Sequence, residues 1–231
     1  MSIAENIQEI RERIAAAAKS AGRKPEEITL VGASKMNDAA ACREAVAAGI
    51  DALGENRVQE LLGKYEQHAY DGAPLHFIGH LQRNKVRQIV GKVVLIQSAG
   101  SLELLDEIEK CAAKQNLTQA ILLEVNIGGE ESKSGFAPEE VLPAAEAALQ
   151  HPHLQVQGLM TIPPVEAEAG GNLPYFEKVR ELYVDINEKL FHNAFRYLSM
   201  GMSGDFEEAI RAGATMVRVG TAIFGARHYS V

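Results

Sequence analysis

Residues 28–35 read ITLVGASK, an apolar run that ends on an amine. Two runs near the other end of the chain, YLSMGMSGD (197–205) and MVRVGTAIFG (216–225), combine glycines, hydroxyls and an arginine. An amine held partly out of water gives up its proton more readily and condenses with a carbonyl to form a Schiff base, so Lys35 is a candidate nucleophile. Its plainer reading is a side chain whose stem lies along apolar surface while the charge stays in water. Gly201, Gly204 and Gly220 let backbone amides approach a ligand closely, because no Cβ intervenes. Ser203 and Thr221 add hydroxyl donors, and GDFEEAI opens a helix whose first amides favour an anion. Taken singly, each glycine suits a tight turn and Asp205 suits a plain helix cap. Taken together, the groups have the chemistry of a phosphate cradle.

The order of elements decides whether these distant residues meet. Short apolar runs occur at Ile28–Ser34, Asp51–Gly54, Leu75–Gly79, Val93–Gln97, Ala120–Ile127, Leu154–Met160, Tyr197–Met200 and Met216–Gly220. Helical patterns fill the gaps, at Ala39–Ala48, Arg57–Gln67, Arg83–Val90, Leu102–Lys114, Pro138–Leu149, Tyr175–Leu190 and Phe206–Ala212. In front lies one more amphipathic pattern, about 1–21, with Ile3, Ile7, Ile10 and Ile14 on one face and Gly22 as its stop. This alternation is that of a single (β/α)8 TIM barrel spanning 1–231 with an extra N-terminal helix. The rival open, doubly wound sheet wants a GxGxxG turn after its first strand, and ASKMND is not one. The loop after the sixth strand, VEAEAGGNLP, is the longest and most polar.

A barrel places strand C-termini at one mouth, often makes its phosphate site from the loops after strands seven and eight, and closes strand eight onto strand one. Lys35 and the cradle are then neighbours. A ligand carrying both an aldehyde and a phosphate would join them, and pyridoxal 5′-phosphate (PLP) is the candidate. Arg218 alternates with Val217 and Val219; with five donors and no acceptor it would leave a facing ring nitrogen unprotonated, a poor electron sink. Asn56, in GEN at the end of the second strand, is a partner for the ring or the lysine, or else a helix cap, and Glu55 and Arg57 beside it are expected to pair. Met160, Met200 and Met202 are expected as fillers near the barrel top, with Met200 or Met202 backing the ring. His76 and His80 lack a third metal ligand and read as structural, while His151 and His153 read as solvated. ESKSGF sets Lys133 among Ser132, Ser134 and Gly135, a loop able to catch a phosphate or hand off a cofactor, though a solvated lysine is the plainer reading.

Composition narrows the class. The chain has 231 residues, 46% of them hydrophobic, and a net charge of −8, which argues against nucleic-acid and anionic-membrane surfaces. No apolar window reaches the ~18 residues of a membrane span, and the N-terminus has no signal-peptide core, so a cytoplasmic protein is expected. Cys42 and Cys111 read as packing thiols in a reducing compartment.

The motifs ASK, GENRVQE, HFIGHLQRNK, ESKSGF, GLMTIPP, LSMGMSGDFEEAI and RVGTAIFG occur in this order. Jointly they resemble the YggS/PROSC family of pyridoxal-phosphate homeostasis proteins from about Ile28 to Gly225. That resemblance implies a fold-type III barrel like the N-terminal domain of alanine racemase, with PLP as a Schiff base on Lys35. It supports Lys35 and Arg218, and with the residues read above the expected cofactor contacts are Lys35, Asn56, Met200, Ser203, Gly204, Arg218, Gly220 and Thr221. It further implies a carrier or regulator that stores or delivers PLP, with PLP-dependent apo-enzymes as recipients, effects on amino-acid balance and no catalytic turnover. Two departures are small: Leu75 stands where members often have tryptophan, and ASKMND varies the region around the lysine.

Two other functions share these residues. A PLP-dependent amino-acid racemase needs a second acid/base on the opposite face of the cofactor; in racemases it comes from a further β-domain of the partner chain, which a chain ending at Val231 is expected to lack. The same absence predicts a monomer. A phosphosugar isomerase or aldolase would use Lys35 on its substrate together with a strand-end carboxylate, and Glu124 is the arguable one.

Overall fold

The computed structural model describes residues 2–130, 133–164 and 171–225. Its strands are β1 (Thr29–Ala33), β2 (Ala52–Glu55), β3 (Leu75–Phe77), β4 (Leu95–Ala99), β5 (Gln119–Val125), β6 (Leu154–Thr161), β7 (Tyr197–Ser199) and β8 (Met216–Val219). All pair in parallel in chain order, and β8 closes onto β1 with Val31 beside Arg218 and Gly32 beside Val219. The helices are α1 (Ile3–Ser20), α2 (Ala39–Ala47), α3 (Val58–Tyr65), α4 (Val86–Ile89), α5 (Leu102–Lys114), α6 (Val141–Ala148), α7 (Leu173–Phe191), α8 (Phe206–Arg211) and α9 (Thr221–Phe224). The chain is therefore the expected α/β barrel.

The strands read as unbroken apolar runs because both of their faces are covered. Val31, Ala52, Leu95, Leu122, Met160 and Met216 form one buried cluster inside the barrel. The alternate positions, among them Leu30, Leu53, Phe77, Leu159 and Val217, join the larger core shared with the helices. The expected helix at Arg83–Val90 is split into a 3₁₀ turn, Arg83–Lys85, and the short α4. The expected helix at Arg57–Gln67 stops at Tyr65, just before a left-handed turn at His68 (φ 56°).

Helix α1 starts on a capping box, in which Ser2 and Glu5 bond each other's backbone amides. Its Ile7, Ile10 and Ile14 are buried, contributing roughly 2 kcal/mol each. It packs on α2, α8 and α9. Arg13 pairs with Glu207 at 2.9 Å, and Asn6 Nδ2 donates to the Ile223 carbonyl at 2.8 Å. The extra helix thus braces the elements that follow the last two strands. Cys42 and Cys111 are buried free thiols. Among the described residues no helix is long and apolar enough to cross a membrane. Ser132 and residues 165–170 of the expected polar loop lie outside the described residues.

Candidate functional site

Above the apolar plug of the barrel, the next inward positions are polar and buried: His76 on β3, Gln97 on β4, Glu124 on β5, Ser199 on β7 and Arg218 on β8. The guanidinium can only donate, so it sets the direction of a hydrogen-bond chain. Arg218 Nη1 donates to Ser199 Oγ at 2.6 Å, and that hydroxyl donates to Gln97 Oε1 at 2.6 Å. Gln97 Nε2 then donates to His76 Nδ1 at 3.0 Å, which makes that nitrogen an acceptor and places the ring proton on Nε2. Burial pushes the His76 pKa down to about 4, in keeping with a neutral ring. Arg218 Nη2 donates to the Thr161 carbonyl at 2.9 Å. Burial lowers the guanidinium to about 10, with Glu124 and Asp205 opposing, so it stays charged at neutral pH. Burial raises Glu124 to about 7, with Arg218 opposing, and Glu124 Oε2 is buried without a hydrogen-bond partner.

Around this layer runs the rim. Lys35 follows β1 on the inward parity of Val31 and Ala33 and is half-buried. Asn56 follows β2; its Oδ1 is buried and unpartnered, and Gly79 lies so close that a Cβ there would stand 2.3 Å from the Asn56 carbonyl oxygen. Asn56 does not cap α3, whose N-cap position is Arg57. After β7, Gly201 takes the left-handed conformation (φ 92°) with no room for a Cβ, which would stand 2.5 Å from Ala209 Cβ. Ser203 Oγ accepts from the Gly220 amide at 3.2 Å, joining the loops after β7 and β8. Asp205 does not cap its own helix: its Oδ1 accepts from the Met202 amide at 2.6 Å and its Oδ2 from Asn172 Nδ2 at 2.7 Å. Neither the Ser203 nor the Gly204 amide donates to another described residue. Gly220 abuts Ala33, where a Cβ would stand 3.2 Å from the carbonyl oxygen.

The adjacent strands β7, β8, β1 and β2 therefore bring Ser203, Gly204, Gly220, Thr221, Lys35 and Asn56 to one side of the mouth, with Arg218 one layer below. Met200 is not gathered there. It follows inward-facing Ser199, so strand alternation turns it outward, and it is fully buried in the core between barrel and helices. Met160 belongs to the inner plug and Met202 is exposed.

The expected Glu55–Arg57 pair is replaced by another. Glu55 faces the helices, where its Oε1 accepts from Lys64 Nζ (2.7 Å), Ser34 Oγ (2.6 Å) and Tyr70 OH (3.1 Å). Arg57 is exposed at the start of α3. A signal was present in the sequence: Lys64 shares the apolar stripe of α3 with buried Val58 and Leu61, and a lysine on a buried stripe needs an acid. Gln97 and Ser199 carry a weaker signal: both are polar residues that interrupt apolar strands at inward positions.

Elsewhere, His76 is buried as a structural histidine, whereas His80 lies beyond the end of β3, is exposed and pairs with Ser134 Oγ at 2.6 Å. Lys133 pairs with Glu130 and donates to the Pro163 carbonyl, so it is not simply solvated. His153 and His151 pair with Glu109 (2.7 Å) and Asp106 (3.2 Å) rather than standing free in water. A cleft of about 690 Å³ lined by His80, Arg83, Ser98, Gly100 and Lys133 opens on the β3–β5 side, away from the Ser203–Gly220 turns. No group of three or more potential metal ligands occurs among the described residues.

Comparison with known proteins identifies the family and the fold. The family profile "Alanine racemase, N-terminal domain" matches residues 2–228. A pyridoxal phosphate homeostasis protein of Aquifex aeolicus is 46% identical over 99% of this chain and 100% of its own. One from Pseudomonas aeruginosa is 44% identical over 99% and 97%. The structure of PipY from Synechococcus elongatus with PLP bound superposes with a TM-score of 0.83 at 30% identity, covering 97% of this chain and 100% of that one. The chain belongs to the pyridoxal phosphate homeostasis protein family.

Proposed function

We propose that this chain binds PLP on the β7–β8–β1–β2 side of the barrel mouth and serves PLP homeostasis by holding the cofactor reversibly and passing it to PLP-dependent apo-enzymes. One observation carries the reading: closure of β8 onto β1 sets the amine-bearing end of β1 beside the Gly220–Thr221 turn and above buried Arg218. An amine, a donor-only partner for a ring nitrogen and a set of amide and hydroxyl donors for a phosphate thus come from neighbouring strands. The donor set fits the cofactor: the Ser203 and Gly204 amides donate to no other described residue, and the glycines leave space that a Cβ would fill. When bound, PLP supplies an electrophilic aldehyde on an electron-withdrawing ring.

Each residue has a distinct task. Lys35 provides the amine for the aldehyde. Ser203, Gly204, Gly220 and Thr221 hold the phosphate, and Asn56, with its unpartnered Oδ1, accepts a hydrogen bond near the ring. Arg218 cannot accept a proton, so a ring nitrogen against it stays unprotonated and withdraws electrons weakly. The Ser199–Gln97–His76 chain holds the guanidinium in place. This suits retention over turnover. A racemase needs a proton-transfer group on each face of its cofactor, and His76 is neutral and committed to Gln97.

The test is the visible spectrum of PLP-loaded protein before and after borohydride, with peptide mapping of the reduced product. A visible band and a reduced adduct at residue 35, both lost in Lys35→Ala, are expected. Amino acids labelled with α-deuterium should keep their label. A colourless wild-type protein or an adduct confined to other lysines defeats the binding reading, and rapid loss of deuterium replaces the carrier with an enzyme.

A further inference from the structure

The wall behind β1 and β2 holds three charged groups that the binding site does not touch. Lys64 is buried on the inner stripe of α3, Glu55 is fully buried at the end of β2, and Glu60 lies one helical turn before Lys64. Replacing a buried ion cluster by apolar side chains of similar volume is often neutral or stabilising, so stability alone does not account for it.

Where its hydrogen bonds go is more informative. Lys64 Nζ has three protons and three acceptors: Glu55 Oε1 at 2.7 Å, Glu60 Oε1 at 2.7 Å and the carbonyl of Ser34 at 2.9 Å. That carbonyl belongs to the peptide group entering Lys35. The peptide group leaving Lys35 donates its N–H, that of Met36, to Glu60 Oε1 at 2.5 Å. Ser34 also gives its hydroxyl to Glu55 at 2.6 Å. Both peptide planes flanking the Lys35 Cα are therefore fixed by one charge cluster. Fixing both planes fixes φ and ψ of Lys35 and hence the direction in which its Cα–Cβ bond leaves the backbone. Met36 is held left-handed at φ 63°, a conformation costly for a residue with a Cβ, which a neighbouring structure must impose.

We infer that Glu55, Glu60 and Lys64 form a positioning device for Lys35, gripping the peptide groups on either side of it so that its amine is presented to a carbonyl ligand in the barrel mouth. This rests on the reading of Lys35 as the attachment point for PLP. Lys64 and Glu60 are positioning residues, since they act through the backbone of the residue that reacts.

The test follows PLP capture at fixed pH as growth of visible absorbance, with borohydride trapping and mapping, in wild type, Lys35→Ala, Glu60→Ala, Glu60→Gln and Lys64→Met. Glu60→Ala is expected to slow capture about tenfold, with the adduct still on Lys35, because a charge-assisted bond to the Met36 amide is gone. Glu60→Gln keeps an oxygen facing that amide and is expected to restore capture to within about threefold of wild type. Lys64→Met, where it folds by circular dichroism, should be at least as slow as Glu60→Ala; where it does not fold, the Glu60 pair decides. Wild-type capture rates in Glu60→Ala overturn the device, as does Glu60→Gln proving as slow as Glu60→Ala. A wild-type protein that forms no adduct on Lys35 overturns the underlying reading instead, and is told apart because it fails before any substitution is made.

Discussion

Two buried polar clusters lie within a few residues of each other along β1, β2 and β8, and they handle charge differently. In the wall, Glu55, Glu60 and Lys64 set charge against charge: every ammonium proton has an acceptor. Burial alone would lower the Lys64 pKa, but Glu55 and Glu60 outweigh it and raise it, so the ammonium stays charged. Inside the barrel, Arg218 bonds to neutral acceptors, Ser199 Oγ and the Thr161 carbonyl, while a carboxyl that titrates near neutrality sits within its field. The wall cluster sets its one cation directly against two carboxylates. The inner one keeps a cation in the mouth beside groups able to change charge. A fixed clamp belongs behind a reacting residue, and an adjustable polar layer belongs beneath a ligand that comes and goes.

The comparison breaks most sharply at Lys64. Lys64→Met fills the space but leaves Glu55 as a fully buried carboxylate with only a serine and a tyrosine hydroxyl, and its Oε2 already lacks a partner. Removing one member of a buried pair costs about 3–5 kcal/mol. The urea midpoint of unfolding should fall accordingly. Adding Glu55→Gln should recover a large part of that loss, because the uncompensated charge goes with it. Equal stability of single and double variants would mean that Lys64 contributes packing and no ion pairing.

The inner cluster answers to pH. Glu124 carries its proton in the folded state up to about pH 7 but only to about 4.5 in an unfolded chain, so the folded state binds more protons in between and its contribution falls as pH rises through that window. His76 does the reverse. Its folded pKa of about 4 lies below the ordinary 6.5, so stability falls as pH drops from 6.5 toward 4. In the wild type the two slopes oppose each other. Glu124→Gln should expose the histidine slope, with melting temperature falling on acidification from pH 6.5. His76→Gln should expose the glutamate slope, with melting temperature falling as pH rises from 4.5 to 7. Each slope is worth on the order of 3 kcal/mol across its window. Parallel profiles for the two variants would show that these groups do not titrate as their burial dictates.

How far the sequence disclosed all this depended on the range of each interaction. The barrel was legible because parallel strands buried on both faces read as compact apolar runs, and β4, β5 and β6 fall where Val93–Gln97, Ala120–Ile127 and Leu154–Met160 foretold them within a few residues. The placement of Lys35, Arg218 and the glycine turns on neighbouring strands was legible because strand order in a closed barrel follows the chain. Met200 was misplaced by one step of alternation, since a strand as short as Tyr197–Ser199 gives little pattern from which to read its facing. Glu55 was matched to Arg57, its neighbour in sequence, whereas its true partner lies nine residues on, reached by folding α3 back against β2. The chain from Arg218 to His76 joins β8, β7, β4 and β3, and no local spacing encodes a contact across a barrel.

The smallest effect concerns the turn that the wall cluster holds. Met36 sits at φ 63° with its side chain 43% exposed, so the side chain has little packing to lose and the backbone carries the cost. Asparagine tolerates this left-handed conformation better than other side chains with a Cβ, and it leaves the unfolded chain about as free as methionine does, unlike glycine. Met36→Asn keeps the amide that Glu60 accepts from, so the cluster is untouched while the strain is relieved. Stability should rise by about 0.5–1 kcal/mol, read as a small upward shift of the urea midpoint. PLP capture by Lys35 should be unchanged, because the peptide planes on either side of it remain held. A gain in stability accompanied by slower capture would place the orientation of Lys35 in the Met36 side chain and take it away from Glu60 and Lys64; a loss of stability would mean that methionine is favoured at this turn despite its exposure.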